Sequence, residues 1–124
     1  MEKKKILIID DQGALKFVVK FDLEKAGFSV VTAGDGKQGI EVAREEKPDL
    51  IILDVVMPVM DGFEACRRLK NMEETKDIPI MFLTAKAKEE EMRKGLEYGA
   101  ADYMLKPFNF KDLFKKIIEL IGKP

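Results

Sequence analysis

Apolar residues fall into two alternating patterns along this chain. The first is a short unbroken run, seen at Lys5–Asp10 (around Ile6-Leu7-Ile8-Ile9), Phe28–Ala33, Asp49–Asp54, Ile78–Thr84 and Ala101–Lys106. A strand with one wet face alternates apolar and polar residues, so unbroken runs predict strands buried on both faces. The second pattern recurs every three to four residues and predicts helices over 14–26, 36–46, 62–72, 88–98 and 109–121. It is clearest in the last, where Phe110, Leu113, Phe114, Ile117, Ile118 and Ile121 form one stripe. Punctuation agrees with both. Gly27 follows the first helix, Pro48 precedes the third strand, Asp61-Gly62 opens the third helix and Gly99 closes the fourth.

Repeated strand-then-helix units predict an α/β fold, a five-stranded parallel sheet doubly wound with five helices. Ligands of such sheets bind beyond the carboxyl ends of the strands. Those ends carry Asp10-Asp11, Asp54, Thr84 and Lys106. The second strand ends in Ala33 and brings no chemistry, as suits an outer strand. The order 2-1-3-4-5, of the flavodoxin-like type, is adopted by analogy with known doubly wound sheets.

Composition narrows the setting. At 124 residues and 46% hydrophobic content, residues 1–124 are expected to form one domain with one real core. The net charge of −1 gives no general attraction to nucleic acid or anionic lipid. A single cysteine, Cys66, precludes an internal disulfide and fits a reducing compartment. It is read as a small core residue. Lys3 to Lys5 are not a signal-peptide start, because the apolar run behind them stops at two aspartates. No stretch reaches membrane-spanning length, so a cytoplasmic protein is expected.

Three carboxylates at one edge repel one another unless a cation sits among them. Mg²⁺, or Mn²⁺ as the alternative, suits such oxygen donors. Asp11 and Asp54 would be direct ligands and Asp10 a water-mediated one. A carboxylate is also a nucleophile toward phosphoryl groups. Asp54 stands alone at a central strand end and is the candidate phosphoacceptor. Lys106 would neutralise developing charge, and the Thr84 hydroxyl would donate to a phosphoryl oxygen. Singly, each residue has a structural explanation as a turn, cap or strand residue; together at one edge they do not.

At this point the chain resembles the response-regulator receiver domains of bacterial two-component signalling, over nearly its whole length. Asp10-Asp11 resembles the acidic metal pair of that family, and Asp54-Val55-Val56-Met57-Pro58-Val59-Met60-Asp61-Gly62 resembles its phosphoacceptor loop. Leu83-Thr84-Ala85 resembles its hydroxyl-bearing strand end. Lys106-Pro107-Phe108 resembles its lysine–proline step, whose peptide bond is usually cis. The resemblance implies a Mg-dependent domain that takes phosphate onto Asp54 from a sensor histidine kinase or phosphotransfer protein. It also implies that the Val56 backbone carbonyl completes the metal site and that Tyr103 switches inward with Thr84. Such a domain catalyses its own phosphorylation and is no turnover enzyme on external substrates.

Phosphorylation adds charge and acceptor oxygens that can shift a loosely held element. The fourth helix fits that description: eight of the twelve residues Lys86–Glu97 are charged. The expected output surface is therefore the face around Lys88–Tyr103 and Lys111–Ile118, read by a protein partner and not by nucleic acid or membrane. Asp102 and Lys116 would pair within the chain, stand exposed to solvent, or pair across a weak phosphorylation-dependent homodimer. Nothing past Ile121-Gly122 reads as an output domain, so a separate protein target is expected if the natural chain stops there. Val56, apolar, and Lys86, cationic, occupy the positions two residues past Asp54 and Thr84, which predicts a long-lived acyl phosphate. Gly13 leaves space above the metal.

Three rival functions fit the sequence less well. An FMN carrier on this topology would not place Asp10-Asp11-Gln12-Gly13 against a phosphate. An aspartyl-nucleophile phosphatase spaces its first two aspartates one residue apart and carries a cap insertion. A phosphorylation-independent scaffold would have no use for the full set of residues.

Overall fold

The computed structural model describes residues 3–84 and 89–124, with the backbone alone for Thr84 and residues 89–92. Five strands, β1 (Lys5–Ile9), β2 (Ser29–Ala33), β3 (Leu50–Asp54), β4 (Ile80–Thr84) and β5 (Asp102–Leu105), form one parallel sheet in the order β2-β1-β3-β4-β5. The helices between and after them are α1 (Gly13–Ala26), α2 (Gly36–Glu46), α3 (Gly62–Lys70), α4 (Glu89–Glu97) and α5 (Phe110–Ile121). This is the expected fold class and strand order.

Alternation along each strand sorts its side chains between two cores. Leu7, Ile9, Ile51, Leu53, Ile80 and Phe82 face one side and pack against Ala43, Ala65, Cys66 and Leu69 of α2 and α3. Ile6, Ile8, Leu50, Ile52, Met81 and Leu83 face the other and pack against Val19, Leu23, Leu113 and Ile117 of α1 and α5. Burial on both faces is why the strand sequences are apolar at consecutive positions. Cys66 is fully buried among them, in the role read for it.

The predicted strands are longer by one or two residues than the observed ones. The extra residues still bond along the sheet: Asp10 N–H donates to the Ala33 carbonyl (3.1 Å), Asp49 N–H to that of Lys5 (2.8 Å) and Ala101 N–H to that of Ile80 (2.8 Å). The third helix was expected to run to residue 72 but stops at Lys70, with Asn71 as its C-cap. Beyond it, the buried Thr75 hydroxyl donates to the Leu69 carbonyl (2.6 Å) and Lys70 Nζ to that of Ile78 (2.6 Å), which closes the segment into turns.

Asp35, Asp61 and Asn109 cap α2, α3 and α5 through their side chains. The N-cap of α1, Gln12, makes no such bond. Helix α4 is charged as expected, and Leu96 is about half exposed. Among the described residues, a glycine brings the helix against the sheet. Gly95 is buried so close to the Phe82 ring that an added Cβ would lie 2.6 Å from it. Phe63 meets Phe82 and Tyr98 edge to face, at centroid distances of 5.3 and 6.3 Å. Among the described residues, no helix is long and apolar enough to cross a membrane.

Candidate functional site

The strand registers bring the chemistry together. Ile9 pairs with Leu53, Asp54 with Leu83, and Thr84 with Leu105. The ends of β1, β3, β4 and β5 therefore lie level, and Asp10, Asp54, Thr84 and Lys106 share one edge of the sheet. Asp10 and Asp54 are buried, whereas Asp11 is exposed. One carboxylate oxygen from each of the three lies within 4.8 Å of the others.

Lys106 reaches into this cluster from the end of β5. Its Nζ lies 3.3 Å from Asp10 Oδ2 and 3.5 Å from Asp54 Oδ2. It also donates to Gln12 Oε1 at 3.2 Å. Backbone donors hold the carboxylates from the other side: Gln12 N–H bonds Asp10 Oδ1 at 2.8 Å, and Val56 N–H bonds Asp54 Oδ1 at 3.2 Å. Among the described residues, one ammonium thus meets two of the three clustered carboxylates.

The result is visible at Asp54, whose pKa is pushed up from 3.8 to about 6. Burial is the main cause and the neighbouring Asp10 charge the second; Lys106 and the Val56 N–H pull the other way but do not prevail. Among the described residues the site gathers three carboxylates against one ammonium, a donor set that suits a hard divalent cation. Asp10, Asp11 and Asp54 are the groups that could hold one.

The loop after Asp54 is shaped by two backbone features. Gly62 N–H donates to the Val55 carbonyl (2.9 Å), and a Cβ at Gly62 would overlap the Asp54 carbonyl oxygen. Only glycine lets α3 begin this close to the end of β3. Val59, almost fully exposed, has φ +69°, a left-handed conformation that a β-branched residue adopts only under strain. Gly13 has nothing within 4 Å of where its Cβ would sit, so there is open space beside the acidic pair. A cleft of about 390 Å³ is lined by Leu15, Lys106, Pro107 and Phe108.

Thr84 ends β4 at the expected edge, but its side chain lies outside the described residues, as do Lys86 and Lys88. Tyr103 is half-buried against the core on the α3 side of the sheet. The Lys106–Pro107 peptide bond is cis. Asp102 and Lys116 pair within the chain at 3.0 Å, the intrachain one of the three expected arrangements. Two contributors escaped the reading of the sequence. Gln12 carried no signal, because the sequence pattern starts the first helix at residue 14 and its place as the N-cap emerges only in the structure. Gly62 was read as a helix opener and not as the contact that fits α3 against Asp54.

Residues 6–118 match the family model described as the response regulator receiver domain. Over 120 residues the chain is 42% identical to the alkaline phosphatase synthesis transcriptional regulatory protein PhoP of Bacillus subtilis, covering 97% of this chain and 49% of that protein. It is 41% identical over 119 residues to the DNA-binding dual master transcriptional regulator RpaA of Synechocystis, covering 96% and 49%. The chain therefore spans about half the length of the curated relatives it matches. Among solved structures, Vibrio cholerae chemotaxis protein CheY4 superposes with a TM-score of 0.91 at 35% identity, covering 95% of this chain and 98% of that one. The receiver domain of a Pseudomonas aeruginosa sensor histidine kinase superposes with a TM-score of 0.89 at 30% identity, covering 98% and 99%. That structure has a magnesium ion coordinated in its active site cleft.

Proposed function

Because the chain belongs to the response regulator receiver domain family of two-component signalling, we propose that Asp54 accepts a phosphoryl group from the phosphohistidine of a sensor histidine kinase or phosphotransfer protein. One observation carries this reading: a buried carboxylate, Asp54, lies in reach of two further aspartates and one lysine at the ligand edge of the sheet.

An Asp54 carboxylate oxygen attacks phosphorus, the phosphorus–nitrogen bond to the donor imidazole breaks, and its electron pair stays on that nitrogen. The product is an acyl phosphate on Asp54. Asp10, Asp11, Asp54 and the Val56 carbonyl would hold Mg²⁺; when bound, the ion neutralises carboxylate and phosphoryl oxygens. Lys106 supplies the remaining positive charge by moving from its carboxylate partners toward the incoming phosphoryl oxygens. The Val56 N–H keeps Asp54 aimed. Thr84, at the level of Lys106, is assigned the hydroxyl that bonds a phosphoryl oxygen.

The signal is carried by a population shift. Thr84 moves toward the phosphate, Tyr103 turns inward behind it, and the face made by α4, β5 and α5 changes its affinity for a partner protein. Both curated relatives named above are transcriptional regulators of about twice this length. The element that reads the change is therefore a partner protein or a further part of a longer chain.

Incubation with Mg²⁺ and acetyl phosphate, followed by intact-mass measurement, tests the assignment. Wild type should gain one phosphoryl group and Asp54→Asn none. Equal labelling of the two, or none of wild type, refutes it. Amide exchange over residues 86–104 should change on adding beryllofluoride; unchanged exchange removes α4 from the output face.

A further inference from the structure

The geometry points to Gln12 as a positioning residue for Lys106: it holds the ammonium away from Asp54 in the resting state. This rests on the reading above, in which Asp54 binds the metal and takes the phosphate.

A lysine ammonium is a compact charge on a flexible stem, so its resting place is set by its acceptors. It has three N–H donors. Here three acceptors surround it: Gln12 Oε1 at 3.2 Å, Asp10 Oδ2 at 3.3 Å and Asp54 Oδ2 at 3.5 Å. The contact with Asp54 is the longest. The two buried carboxylates attract the ammonium, and the neutral amide oxygen of Gln12 is the further acceptor that competes with them for it.

Gln12 is itself well anchored. Its N–H bonds Asp10 Oδ1 at 2.8 Å, and its carbonyl accepts from Lys16 N–H at 3.1 Å, the first turn of α1. Its side chain forgoes the usual task of its position. At the other helix starts where a capping residue is described, an Asp or Asn side chain bonds a backbone N–H of the first turn. At α1 the side chain makes no such bond and reaches Lys106 instead. Helix stability is forgone for a contact with the Lys106 ammonium.

The consequence is a division of charge. With Lys106 drawn aside, Asp54 keeps more of its negative potential for a divalent cation and for attack on phosphorus. Without Gln12 the ammonium settles against Asp54 and Asp10, where it opposes cation binding and must be pulled off by the incoming phosphoryl group.

Gln12→Ser separates this role from a structural one, because serine is a good N-cap yet too short to reach Lys106. The variant should melt no lower than wild type. Its Mg²⁺ affinity, by calorimetric titration, should fall by about two- to five-fold, the range for one exposed hydrogen bond to a charge. Its labelling by acetyl phosphate at saturating Mg²⁺ should slow. The decisive comparison is the same substitution in a Lys106→Met background, where Mg²⁺ affinity should no longer respond to residue 12. Unchanged affinity in the single variant, or an equal loss in the Lys106→Met background, overturns the inference. Failure of the underlying reading looks different: wild type would then take no phosphate, and Asp54→Asn would leave Mg²⁺ binding untouched.

Discussion

Replacing Asp54 with Asn should stabilise the metal-free domain, and the gain should depend on pH in a way fixed by the site. Burial and the Asp10 charge raise the Asp54 pKa from 3.8 to about 6 in the folded protein. For an acid, a raised folded pKa means that ionisation costs more in the folded state than in the unfolded one. Below about pH 3.8 Asp54 is protonated in both states and no penalty exists. Between 3.8 and about 6 the unfolded chain ionises first, and wild-type stability falls as pH rises. Above about 6 both states are ionised and the penalty is complete. The interval corresponds to about 3 kcal/mol. Asparagine keeps the Oδ1 acceptor that Val56 N–H uses at 3.2 Å, so it stands in for the neutral acid. Lys106 loses one charged partner at 3.5 Å, which reduces the gain to roughly 1–3 kcal/mol. For a chain of this length that is a rise in Tm of about 4–12 °C. Urea melts of both proteins in EDTA, from pH 3.5 to 7.5, measure the difference directly. The chain has no histidine, so no imidazole titrates in this window. A variant no more stable than wild type at pH 7.5, or equally stabilised at pH 3.5 and 7.5, refutes the argument.

Four other outcomes are expected. Lys106→Met removes the ammonium that opposes a cation at Asp10 and Asp54, so metal-free stability at pH 7 should drop by about 1–3 kcal/mol while Mg²⁺ affinity rises; calorimetric titration and melts decide it. Gly62→Ala should cost roughly 2–3 kcal/mol in urea unfolding, because its Cβ has no room against the Asp54 carbonyl. Val59→Asn should gain roughly 0.5–1 kcal/mol by relieving the left-handed conformation of a β-branched residue; a less stable variant counts against strain there. Val56→Asn should shorten the lifetime of the acyl phosphate, followed by intact mass after donor removal. Val56 is half exposed beside Asp54, and an amide there can orient an attacking water where an apolar side chain cannot.

The sheet and its ligand edge were legible in the amino-acid order because they rest on local patterns. Unbroken runs such as Leu50-Ile51-Ile52-Leu53 can satisfy their burial only between two helix layers, and a polar residue ending such a run must emerge at the carboxyl edge. Asp10, Asp11, Asp54, Thr84 and Lys106 are all readable on that basis, and the resemblance to receiver domains assigned their expected tasks. Helix ends were less legible. The stop of α3 at Lys70 depends on Thr75 and on Lys70 bonding to carbonyls further along, contacts between residues that no local pattern links.

The tertiary structure alone decided the balance of charge at the site. Sequence places three acids and a lysine at one edge but not at 3.3 and 3.5 Å, nor does it say which acids are buried. Coulomb energy and desolvation depend on those distances and on solvent access, so the raised pKa of Asp54 belongs to the fold and not to the motif. The same holds for glycine. A missing side chain leaves no trace in a hydrophobic pattern, and only the packed structure shows that Gly62 meets the Asp54 carbonyl and that Gly95 seats α4 on Phe82. Gln12 reads as an unremarkable polar residue until the ends of β1 and β5 are brought level and Lys106 is found in its reach.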